Sequence, residues 1–277
     1  LLIGTGCAPA FLVCTLFISR HFAAERFTAT SGLVMSIGSL GVLATATPLA
    51  WVAIAWQVHE PPAACAGDAA GERPSALAAL RGLLGLFTLP QTAGLVAYAA
   101  VSYAGFITLR GLWLGPLLVE RHGFTLVESG NVALVMTLAG MASPSVFGRL
   151  DPGGARRTRW MLALALVAAL LVGAAGVVPI AWVDVALAVT YGALSGYGVL
   201  QYGYVRDAYP EALRGRALSL LTMAMFLGVA LMQWVSGLAA TLAPAVGLAP
   251  FTAALLTMSA LLLAGAGAFW RLPRAGA

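Results

Sequence analysis

The chain has 277 residues, 61% of them hydrophobic and 9% charged, with a formal net charge of +5. A soluble domain carries about 25% charged residues, so the composition speaks against a soluble enzyme. Its basic residues are all Arg, scattered in short segments between apolar runs. That pattern belongs to loops beside membrane spans rather than to a nucleic-acid surface.

The apolar runs are continuous rather than alternating, and each is long enough to cross a hydrocarbon core of about 30 Å as a helix. They predict an all-α polytopic membrane protein of about eight spans. The first runs from Leu1 to Ile18 and the second from Thr28 to Trp51 or Trp56. A small-residue linker with Pro61, Pro62, Gly67, Gly71 and Pro74 follows, and Ala76–Phe87 is expected as a short helix lying in the interface. Six further spans are expected at Leu89–Leu118, Leu126–Phe147, Trp160–Val178, Trp182–Val205, Gly215–Ala240 and Pro250–Trp270. This divides the chain into a partial N-terminal half (1–56), a linker (57–87) and a six-helix bundle (88–277).

Placing the segments that follow the first, fourth, sixth and eighth spans in the cytoplasm, together with the linker, puts all of the fifteen Arg there except Arg110 and Arg121. Helix parity objects, because one span cannot separate two cytoplasmic segments. Either one crossing is missing after Trp51 or Ala29–Trp56 forms a re-entrant hairpin. The chain opens inside an apolar run without Met and with no basic region before it, which predicts a truncated start rather than a signal peptide. Fifteen Arg against no Lys, with Asn131 the sole Asn, points to a GC-rich, bacterial genome. Cys7, Cys14 and Cys65 lack metal-ligand spacing, and no cofactor is expected.

Two loops share a pattern: Arg20 to Glu25 after the first span and Arg206 to Glu211 after the sixth are both Arg-x4-Glu, each followed by another Arg. The opening Leu2-Ile3-Gly4-Thr5-Gly6, the loop Gly148-Arg149-Leu150-Asp151-Pro152-Gly153-Gly154-Ala155-Arg156-Arg157, the segment Tyr209-Pro210 to Ala217, and Gly111-Leu112-Trp113-Leu114-Gly115-Pro116 resemble motifs of the major facilitator superfamily. In the loop, Asp151 comes one residue early and Pro152 replaces a basic residue. The resemblance implies twelve helices in two parallel halves around a central cavity. This chain would supply helices four, five and seven to twelve. Ala46-Thr47-Pro48-Leu49-Ala50 stands where a drug-antiporter signature would lie, so drug antiport is not implied.

A charge at mid-membrane costs about 2.5–3.5 kcal/mol on insertion scales, which singles out Arg110. It lies about 15 Å in from Glu120 at about 1.5 Å per residue. Two readings stand open: an anchor at the outer mouth, or a fork for an anionic substrate group. Gln91, Tyr98, Ser102, Tyr103 and Arg110 fall within about 140° of one helix face. Tyr197 and Gln201 stand one turn apart on the sixth span. By the resemblance both helices line the cavity, making these residues candidates for a substrate site. The plainer reading is interhelical hydrogen bonding.

Gly148, Asp151, Arg156 and Arg157, with Arg20, Glu25, Arg206 and Glu211, are expected either as a cytoplasmic gate or, more plainly, as charges that only set the topology. Asp151 would meet a helix N-terminus, the Arg would pair with acids across the halves, and Glu25 and Glu211 would pair with nearby Arg. Asp184 is expected to be solvated, and His21, His59 and His122 to be isolated. The function expected is alternating-access transport of a small solute, with a proton or cation as coupling partner, by a permease of a bacterial inner membrane. Its rivals are a non-transporting or decayed protein on the same fold and, more remotely, a membrane-embedded enzyme.

Overall fold

The computed structural model describes residues 81–272, and these are helical almost throughout. Six helices are long and apolar enough to cross a membrane, the make-up of a multi-pass membrane protein: α1 (Pro90–Arg121), α2 (Leu126–Arg149), α3 (Gly154–Val177), α4 (Ala181–Ala208), α5 (Glu211–Val246) and α6 (Pro250–Arg271). The first two expected spans and the linker up to residue 80 lie outside the described residues. Of the expected interfacial helix, residues 81–84 are helical and Gly85–Thr88 form a 3-10 turn that leads into α1.

Local chemistry sets the helix limits. Pro90 and Pro250 occupy first turns, where a missing N–H costs nothing. Thr125 and Glu128 form a capping box at the start of α2: the Glu128 amide donates to Thr125 Oγ1, and Thr125 N–H donates to the Glu128 carboxylate at 2.8 Å. Between α2 and α3 the chain turns at Gly153 and Gly154, with φ of 68° and 48°, backbone that favours glycine.

The packing repeats itself. α1 packs most extensively on α5, and α4 packs correspondingly on α2. α1 also packs on α6 as α4 does on α3, while α3 and α6 pack on each other and α1 meets α4. Exchanging α1–α3 with α4–α6 therefore reproduces nearly every major contact. The exception is the α5–α6 contact, which has no strong counterpart between α2 and α3. Because each triplet holds an odd number of helices, the two copies run in opposite senses across a membrane.

The layout follows from these contacts. α3 and α6 form the back, α1 and α4 the middle, and α5 and α2 flank a front side. Small residues let the helices close. A side chain at Gly228 of α5 would overlap the backbone of Ala100 in α1, and one at Gly196 of α4 would overlap Ser143 and Pro144 of α2. At the back, Ser259 donates to the Ala169 carbonyl at 2.7 Å and Thr252 to that of Gly176 at 2.8 Å. Small-residue contacts and hydrogen bonds are the usual ties between helices in lipid.

Candidate functional site

The polar residues of α1 divide between two directions. Gln91, Tyr98 and Ser102 are buried in the seam between α1 and its neighbours. Tyr98 donates to the Met161 carbonyl of α3 at 2.8 Å, and Gln201 Nε2 of α4 donates to Ser102 Oγ at 2.7 Å. Gln91 Nε2 donates to the Ala208 carbonyl at 3.0 Å. Tyr197 is fully buried, its ring edge-on to Tyr98 at 6.5 Å. Tyr103 and Arg110 are only partly buried and lie on the remaining open side of α1. Sequence reasoning placed all seven on one pathway; the structure brings five into the helix seam and leaves two on the front.

Not every polar atom of the seam is satisfied. The hydroxyls of Thr108, Tyr191 and Tyr197 and Oε1 of Gln201 are buried without a hydrogen-bond partner among the described residues. Unpaired polar groups in an apolar interior are costly, so this seam is the place in the bundle best suited to take internal water.

At the Arg-rich end, Arg157 is 3% exposed and held on both sides. Its Nε and Nη2 donate to the two oxygens of Asp151, each at 2.7 Å, and Nη1 donates to Asp207. Asp151 Oδ1 also accepts the Gly153 N–H at 3.1 Å, just ahead of α3, where the helix dipole favours a negative charge. Arg157 thus pairs with acids of its own bundle. Gly148 is buried at the end of α2, and Arg156 is exposed.

Arg206 bonds Asp207 at 3.2 Å, and its carbonyl accepts Arg214 Nε at 3.1 Å. Glu211 does not take the expected Arg partner among the described residues. It stands exposed in the first turn of α5, where the dipole alone favours it. Arg20 and Glu25 lie outside the described residues. Asp207 escaped the sequence reading because 50 residues separate it from Arg157; helix parity alone could have put both at one end.

Beneath this cluster the Thr92 hydroxyl donates to the Leu86 carbonyl at 2.7 Å, so Tyr209 is the donor in its 2.8 Å contact with Thr92. Burial pushes the Tyr209 phenol above its usual range, the Thr92 contact opposing.

The opposite end overturns two expectations. The Asp184 side chain is fully buried rather than solvated, and His122 is not isolated: its Nε2 lies 2.6 Å from Asp184 Oδ2. Arg121 adds a contact with Asp184 at 3.6 Å and donates to the Ala175 carbonyl of α3 at 2.9 Å. The end of α1 is thereby tied to the start of α4 and the end of α3. A cavity with room for about one water lies beside Asp184, lined also by Leu109, Leu117, Val172 and Tyr191.

The geometry is that of an apolar bundle with a polar seam, a charge cluster at each end and one deep cation on its open side. No family model matches the chain, and no curated protein matches it.

Proposed function

We propose that the chain is the greater part of a secondary transporter of the major facilitator type, moving a small solute by alternating access. The repeated packing carries this reading: three helices followed by three more in the same order but the opposite sense across the membrane, with α1 and α4 at the centre and α2 and α5 crossing onto the opposite triplet. Inverted three-helix repeats nested in six-helix halves are the build of such transporters. The motif-like loop from Gly148 to Arg157 supports it by folding into a buried charge cluster at the Arg-rich end.

On this reading the protein resides in a bacterial inner membrane. Arg149, Arg156, Arg157, Arg159, Arg206, Arg214 and Arg216 face the cytoplasm as the positive-inside rule requires, and Arg121 faces out. A proton or cation supplies the coupling. The front side, between the flanking α2 and α5, is the solute route.

Vesicles from cells with and without the chain, loaded from a mixture of small metabolites and assayed by mass spectrometry, test the proposal. At least one solute should accumulate only when the chain is present, and Arg157→Gln should reduce that accumulation. Contents identical with and without well-inserted protein would leave a non-transporting protein as the better reading.

A further inference from the structure

Arg110 is, among the described residues, the only charged side chain more than two turns from a helix end. It stands eleven residues before Arg121, about 16 Å along the helix at about 1.5 Å per residue. Three helices cover the other sides of α1. α5 closes on Ala100 through Gly228, α6 closes on Val101 through Gly265, and α4 bonds Ser102 through Gln201. What remains is a half-buried stripe at helical spacing: Val96, Tyr103, Ile107 and Arg110. Phe226 of α5 walls it on one side, its ring edge-on to Tyr103 at 5.8 Å.

The backbone changes character where Arg110 sits. Leu109–Trp113 and Leu117–Arg121 are π-helical turns on either side of Pro116. Proline lacks the N–H that would bond the carbonyl four residues earlier, and π turns inside α-helices recur at functional sites. The guanidinium makes no hydrogen bond or ion pair with any described residue. Among the described residues no acid stands at that depth: Glu120, Glu128, Asp151, Asp184, Asp207 and Glu211 are at or beside helix ends.

A deep cation on the route side, unpaired among the described residues, is placed to meet an anion brought by the solute. A planar guanidinium matches a carboxylate through two parallel hydrogen bonds. One cation among Tyr103, Ile107 and Phe226 suits a single negative charge on an apolar body, whereas a phosphate dianion would be left undercompensated. We propose that Arg110, Tyr103 and Phe226 form a binding site for a small organic carboxylate. The inference rests on the transporter reading, because water must reach this stripe.

The test uses the full chain with Cys7, Cys14 and Cys65 replaced by Ser, reconstituted in liposomes, carrying Tyr103→Cys or, should that fold poorly, Ile107→Cys. Each thiol is treated with an anionic or a cationic water-soluble methanethiosulfonate. With each rate divided by that reagent's rate on a free thiol in solution, the anionic reagent should react about fivefold faster, as a unit charge within about 10 Å acts on the two reagents in opposite senses. Arg110→Gln should abolish that preference. Millimolar benzoate should slow the anionic reagent when Arg110 is present. Arg110→Lys should keep the preference but lose the protection, for want of the fork.

Equal normalised rates for both reagents with Arg110 in place would overturn the anion site and leave the route standing. A charge preference with no benzoate protection, in the presence of Arg110, would overturn carboxylate binding alone. A thiol that reacts with membrane-permeant N-ethylmaleimide but with neither charged reagent would put the stripe against lipid, and the site and the route would fall together.

Discussion

Removing Arg157 should destabilise the bundle far more than removing Asp207, and the reason lies in the unequal burial of the two acids that Arg157 holds. Asp151 has a side chain 7% exposed and loses two charge-assisted hydrogen bonds in Arg157→Met, while the Gly153 N–H stays. Asp207 is 42% exposed and can turn to water or to Arg206. Breaking a buried pair from one side costs about 3–5 kcal/mol, whereas an exposed pair contributes about 0–1 kcal/mol. Arg157→Met should therefore cost about 3 kcal/mol, roughly a hundredfold in the folding constant, and Asp207→Asn less than about 1 kcal/mol. Pairing Arg157→Met with Asp151→Asn should recover about half the loss or more, because the buried charge that lost its guanidinium is gone. Equilibrium unfolding in mixed detergent, followed by helical circular dichroism, measures all four proteins. If Asp207→Asn costs as much as Arg157→Met, or the double variant recovers nothing, the burial argument is wrong.

Two further contrasts test the packing. Gly228→Leu drives a side chain into the Ala100 backbone and should lower stability by about 1–3 kcal/mol or more through overpacking. Gly237→Ala on the same helix meets nothing within 4 Å and should leave the melting temperature in detergent unchanged or raised. Tyr98→Phe gives up a 2.8 Å hydrogen bond to Met161 and should cost about 1 kcal/mol. Tyr197→Phe removes a buried hydroxyl with no described partner and should be neutral or stabilising. A loss at position 197 equal to that at 98 in the same melts would show that internal water satisfies the Tyr197 hydroxyl.

The spans were legible wherever apolar residues meet a breaker, and less so where the helix outruns the lipid. α2 and α6 begin where expected, at Leu126 and Pro250, because a capping box and a proline punctuate the sequence there. α3 begins at Gly154 rather than Trp160, and α5 at Glu211 rather than Gly215. Their first two turns carry Arg156, Arg157, Arg159, Arg214 and Arg216, and hydropathy reads the solvent of a residue, not its backbone. The candidate site shows the same limit. A helical wheel placed Tyr98, Ser102, Tyr103 and Arg110 on one arc, yet which part of that arc meets α4 depends on packing partners some hundred residues away. His122 and Asp184 have no sequence relation that announces a 2.6 Å contact; the turn before α2 and the entry into α4 bring them together.

The placement of the charges bears on how such a bundle could move. α4 carries an acid near each end, and both are held by side chains from elsewhere: Asp184 by Arg121 of α1 and by the His122 ring in the turn after it, Asp207 by Arg157 of α3. The dipole of α4 favours Asp184 at its N-terminal end and opposes Asp207 at its C-terminal end, so the second position depends on its Arg partners. With α4 pinned at both ends and α1 closed on α5 at Gly228, the internal contacts offer no sliding surface between the central helices. On the transport reading, the front stripe with Tyr103 and Arg110 would then be exposed and covered by rocking of the whole six-helix unit against its other half. Rigid-body rocking around a fixed site is how inverted-repeat transporters alternate access. The same rigidity explains why a deep cation can be tolerated only on the front, the one side that no helix of its own bundle covers.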